Sequence, residues 1–158
     1  FLSLKGWIAF VYMGILTVVA FIDWNTKIIY DRFHILIALL GIAAIWVFPE
    51  HDLTERLVGA VIVSIPMLLL ALLIPGAFGG GDIKLMAASG WLLGWRAMLP
   101  AIFIGILSGG IYCIWMLARK KMTRKDRFAF GPFLAIGLAA SFLYGEQMLN
   151  WYLSVWQM

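Results

Sequence analysis

The chain has 158 residues, 64% of them hydrophobic and only 13% charged, against roughly 45–50% and about 25% in a soluble domain. Too little polar surface is left to clothe a packed globule in water, which argues against a water-soluble enzyme, a disordered protein and a conventional nucleic-acid binder. The net charge of +4 does not restore the nucleic-acid reading, because half of the twelve Lys and Arg residues sit in one short loop, Arg119–Arg127, as membrane topology requires. Cys113 stands alone and His34 and His51 lie 17 residues apart, so neither a disulfide nor a metal or cofactor site is expected.

Charges divide the chain into uncharged runs, five of which reach the roughly 17–25 residues that a helix needs to cross a bilayer. The expected fold is therefore an all-α integral membrane protein, a polytopic bundle of six transmembrane helices in a single domain over residues 1–158. Its helices are predicted near 6–22, 33–49, 57–78, 82–96, 97–118 and 128–146. The fourth run is short and spans only if Lys84 and Arg96 snorkel to the interfaces. With RKKMTRKDR (119–127) in the cytoplasm and the sides alternating, nine basic residues fall inside and three outside, as the positive-inside rule expects. Trp7, Trp46, Trp91, Trp95, Trp151 and Trp156 then mark the outer interface, with Trp24 and Trp115 towards the inner one. The segment 147–158 reads either as an extension of helix six or as an interfacial stretch. The first apolar run lacks a small-residue cleavage site and does not read as a removable signal peptide.

Three acids carry information. Asp23 closes the first helix and Asp82 follows three glycines, Gly79, Gly80 and Gly81. Two crossings separate them, so counting alone returns both to the same membrane face. Acids at a membrane boundary are costly and usually line a cavity or pair with one another. Two carboxyls within a few ångströms do not both ionise easily, and such a pair can activate water on one side while protonating an oxyanion on the other. The glycines allow close approach of backbone or substrate and leave amide groups near Asp82, which could act as an N-cap. The plainer readings stay open: a flexible inter-helix turn with a capping aspartate, an interfacial acid at Asp23, and an Asp31 that caps helix two or pairs with Lys27 or Arg32. Lys84 reads first as a topology residue and second as a group that tunes Asp82. His34 and His51 read as polar helix-end and loop residues, and Cys113 as a small packing residue.

Three segments together resemble the type IV prepilin peptidases, membrane aspartic peptidases of bacteria. They are FIDWNTKIIYDRF (21–33), with an acid eight residues after an Asp; GAFGGGDIKL (76–85), similar to the family's Gly-x-Gly-Asp-x-Lys-Leu; and FGPFLAIG (130–137). The resemblance implies catalytic positions for Asp23 and Asp82, a supportive one for Asp31, and a helix-packing or cavity-lining block at Gly131-Pro132, with proline tolerated early in a helix. Tyr30 departs from the family's usual proline before the second acid. The cysteine-rich domain that larger members associate with N-methylation has no counterpart here, so methyltransferase activity is not expected unless preceding sequence held it.

The resemblance further implies a prepilin or pseudopilin substrate with a basic leader and an apolar helix, cut at the cytoplasmic face of the bacterial inner membrane. The rival reading, from another class, is a non-catalytic transporter or assembly factor whose acids carry protons or a cation. Oligomeric state is not legible in the sequence.

Overall fold

The computed structural model describes residues 3–158, and among them every regular element is an α-helix: α1 (Leu4–Thr26), α2 (Asp31–Val47), α3 (Leu53–Ile62), α4 (Ser64–Leu73), α5 (Gly80–Leu93), α6 (Trp95–Ala118) and α7 (Gly131–Trp156). Three helices are long and apolar enough to cross a membrane: α1, the α3–α4 pair over Leu53–Leu73, and α6. The expected third helix, 57–78, is corrected at both ends and in its middle. Pro66 lacks the N–H that would bond to Ile62, and a proline ring crowds the preceding turn. The helix accordingly breaks at Val63, where Ser64 Oγ donates to the Ala60 carbonyl. It stops at Leu73 because Ile74 precedes Pro75, and a residue before proline is driven out of the α region. The last helix runs unbroken through Trp156, so most of 147–158 continues α7, with residues 151–158 exposed.

All these segments run between two ends of one bundle. At one end lie the C-terminal turn of α1, the starts of α2, α5 and α7, and the 119–127 loop. At the other lie Lys5, Glu50, Glu55, Arg96 and Glu146. The most extensive pairing is α6 with α7, followed by α5 with α2 and α3, and α1 with α7. The short α5 is thus held among neighbours, burying Leu85, Met86, Ser89, Leu92 and Leu93. Between α3 and α5 the backbones themselves touch: a Cβ on Gly59 or Gly90 would collide with the other's peptide group. Such close approach through small residues supplies the van der Waals contact that holds helices together where lipid removes the hydrophobic drive.

Arg56 corrects the placement of a residue that the charge pattern puts in an outer loop. It belongs to α3 and is fully buried, at 0% exposure. Its guanidinium donates to the carbonyls of Ala44 (2.9 Å), Phe48 (3.3 Å), Leu92 (3.0 Å) and Trp91 (3.4 Å). Those carbonyls lie at the C-terminal ends of α2 and α5, where backbone acceptors run short of helical donors; Ala44 and Phe48 also accept backbone N–H groups, from Phe48 and His51. One planar donor fork therefore ties two helix ends together, a geometry that an ammonium lacks. Trp91, assigned above to the outer aromatic belt, is half-buried and packs over Gly41.

Candidate active site

Asp23 lies in the last turn of α1, four residues before Lys27, which ends the helix with φ 56° and returns its N–H to the Asp23 carbonyl at 2.7 Å. The side chain points inward and is only 4% exposed. Its Oδ2 accepts a 2.9 Å hydrogen bond from the Gly131 N–H at the start of α7. Such first-turn amides have no intrahelical acceptor, and the positive end of the helix dipole favours a carboxylate there. Pro132 follows at the tolerated early position. The space is tight: a Cβ on Gly131 would lie 2.5 Å from Asp23 Oδ2.

Asp82 sits in the first turn of α5, 8% exposed. The N-cap is Gly79 rather than Asp82, and Gly80 and Gly81 are already helical, so the glycine run opens a helix instead of forming a flexible turn. Each glycine has its own surroundings. A Cβ on Gly79 would meet Asp82 Oδ2 at 3.3 Å, one on Gly81 would press on Ile29 Cβ at 2.9 Å, and Gly80 faces open space. Asp82 Oδ1 is buried with no hydrogen-bond partner among the described residues.

Asp23 and Asp82 line a single cavity of about 760 Å³. Gly79, Ile106, Gly109 and Cys113 form part of its wall, together with the irregular segments 75–78 and 124–128. Cys113, expected to be a packing residue, is half-buried and faces this space. Arg124, Lys125 and Arg127, read from sequence only as topology markers, rim the same cavity, as does Lys27. Their contribution was hidden because a charge run says nothing about which helix ends it closes over. The loop is folded, with Asp126 Oδ2 accepting the Thr123 N–H at 2.8 Å. Among the described residues no three His, Cys, Asp or Glu side chains gather.

Asp31 and Lys84 stand beside the cavity, not in its lining. Lys84 Nζ donates to Asp31 Oδ1 at 2.9 Å, with both side chains exposed, so Asp31 pairs with Lys84 and not with Lys27 or Arg32. The ammonium holds the Asp31 carboxyl below the usual carboxylate range. The buried His34 places Nδ1 3.4 Å from the same oxygen. At the opposite end His51 lies 3.4 Å from Glu55.

Fold and site together define an all-helical membrane protein that brings two buried acids from separate helices to one cavity with a basic rim. Residues 10–114 match the model of the type IV leader peptidase family, and the chain belongs to that family. It is 28% identical over 154 residues to the prepilin leader peptidase/N-methyltransferase of Bacillus subtilis (strain 168), covering 98% of this chain and 62% of that protein. To the protein of the same name from Pectobacterium carotovorum subsp. carotovorum it is 33% identical over 137 residues, covering 83% of this chain and 49% of that one. A third, from Aeromonas salmonicida, is 37% identical over 76 residues, 48% of this chain and 26% of the relative. The chain therefore spans less than two thirds of the length of these relatives. No solved structure shows significant similarity to it.

Proposed function

We propose that this chain is a membrane aspartic endopeptidase that removes leader peptides from type IV prepilins or pseudopilins, using Asp23 and Asp82 as a water-activating pair. The observation that carries the proposal is the shared cavity: two buried carboxyls, supplied by α1 and α5, face one space whose rim is basic. The peptidase half of the relatives' shared name supports the same reaction, and the proposal extends to that half alone.

The chemistry follows from the two groups. One carboxylate takes a proton from water as the oxygen attacks the scissile carbonyl, while the other, protonated, gives its proton to the developing oxyanion. Collapse breaks the C–N bond, returns the oxyanion proton to the second carboxyl and passes the first proton to the departing amine. The Gly131 N–H fixes the orientation of Asp23 through these steps. In this reading the chain crosses six times, with α1, α2, α3–α4, α5, α6 and α7 alternating, and the cavity opens to the cytoplasmic face of the bacterial inner membrane beside the basic 119–127 loop, which the positive-inside rule favours. At about 1.5 Å per residue, the 14 residues of α5 cover about 21 Å, less than the roughly 30 Å hydrocarbon core. Thinned lipid and its packed neighbours accommodate the difference. A leader with positive charges stays in the cytoplasm while the apolar segment after it lies in the bilayer, presenting the bond between them to the acids.

The test is cleavage of a prepilin by purified protein in detergent. Asp23→Asn and Asp82→Asn are expected to abolish processing while leaving an inserted, folded protein, and Asp31→Asn to retain substantial activity. Processing by either of the first two variants would remove the dyad. The rate is expected to follow two apparent pKa values that belong to the pair jointly; a pH-independent rate, or one abolished by a chelator, would point to other chemistry.

A further inference from the structure

A second cavity, about 450 Å³, lies at the end of the bundle away from Asp23 and Asp82. Its floor is apolar, formed by Ala9, Leu93, Ala97 and Phe142, and its rim carries Lys5, Glu50, Arg96 and Glu146. Two of these charges satisfy one another: Lys5 Nζ contacts Glu50 Oε1 at 2.9 Å and lies 5.1 Å above the Phe48 ring. The other two do not. Arg96 contacts Glu55 at 3.5 Å through Nε and lies over the Trp95 ring at 5.7 Å; no hydrogen bond with a described residue engages the terminal nitrogens of its fork. Glu146 forms no ion pair with any described residue. One side of the rim thus offers a planar cation, another a carboxylate, above an apolar cleft.

That combination matches a ligand with an anionic oxygen pair, a primary ammonium and hydrocarbon attached. Guanidinium binds phosphate oxygens bidentately, a carboxylate accepts from an ammonium, and acyl chain fits the floor. We propose that this cavity is a binding site for a phospholipid whose headgroup carries both phosphate and primary amine, phosphatidylethanolamine chemistry, with Arg96 on the phosphate and Glu146 on the ammonium. A lipid is favoured over a soluble zwitterion by the apolar floor and by the membrane setting of the helices that form it. The proposal depends on the protein's residence in a bilayer and not on the peptidase reading.

Native mass spectrometry of the purified protein, equilibrated in turn with phosphatidylethanolamine, phosphatidylcholine and phosphatidylglycerol, tests it. Wild type is expected to retain the ethanolamine lipid roughly fivefold over the other two, the upper range for a part-exposed charge contact. The choline headgroup has no N–H to donate and the glycerol headgroup has no cation. Glu146→Gln is expected to erase the preference over phosphatidylglycerol, and Arg96→Gln to weaken retention of all three. Equal retention of the three lipids by wild type would overturn the proposal. So would a preference untouched by both variants, or displacement of the lipid by water-soluble phosphoethanolamine at equal concentration.

Discussion

Replacing Gly131 by Ala puts the smallest possible side chain where Asp23 now rests. The added Cβ would stand 2.5 Å from Oδ2, 2.8 Å from Cγ and 3.1 Å from Cβ of Asp23, against the roughly 3.5–4.0 Å at which carbon contacts become favourable. The carboxylate must swing away, and the 2.9 Å bond from the Gly131 N–H is lost with it. A hydrogen bond to a charged group contributes about 1.5–3 kcal/mol. If Asp23 reacts from its present position, that loss falls on the chemical step, and at about 1.4 kcal/mol per factor of ten it lowers kcat roughly tenfold to a hundredfold. KM should change little, because substrate contacts elsewhere in the cavity are untouched. The backbone at Gly131 is not in the positive-φ region, so alanine imposes no backbone strain there and the protein stays folded. The assay is prepilin cleavage under saturating substrate, with tryptophan fluorescence during thermal unfolding as the folding control. A well-folded Gly131→Ala protein with wild-type kcat would refute the claim that this bond positions a reacting carboxyl.

Other outcomes follow from the same structure. Arg56→Ala should cost about 2 kcal/mol or more, since it takes the side-chain donor from the buried Leu92 and Trp91 carbonyls at about 1–3 kcal/mol for each group left unsatisfied, and Arg56→Lys should recover only part of it; thermal unfolding in detergent reads both. Gly90→Ala forces a methyl group against the Gly59 peptide and should destabilise by about 1–3 kcal/mol, as overpacking does, whereas Gly80→Ala, with open space around it, should be near neutral by the same measurement. Because Lys84 lowers the folded-state pKa of Asp31, their pairing stabilises at pH above the ordinary carboxylate range and is lost as pH falls through the depressed value. The difference in Tm between wild type and Lys84→Gln should therefore be small at neutral pH and vanish in acid, and an increase towards low pH would contradict the assignment.

How much of this was legible beforehand depended on range. The joint location of Asp23 and Asp82 followed from counting two apolar runs between them, because chain direction reverses at each crossing whatever the packing details. The Gly131–Asp23 bond joins residues 108 apart and depends on how α1 lies against α7, which no local pattern encodes. Arg56 escapes the charge pattern because a buried arginine becomes tolerable only where several carbonyls converge, and these come from the ends of two other helices. Pro66 did announce the break at Val63, but the apolar run around it was long enough to mask the signal. Length and hydropathy alone identify α1, α3–α4 and α6 as able to span; crossings by α2, α5 and α7 belong to the proposed function.

The two acids ride on helices clamped by backbone contacts and buried side chains, whereas much of the wall opposite them is built from the irregular stretches 75–78 and 124–128. Irregular segments accept substitution and length change far more readily than packed helices do. On the proposed function, selectivity for one pilin over another would accordingly drift, or be transplanted between homologues, by exchanging these two stretches while the acids stay anchored where they are.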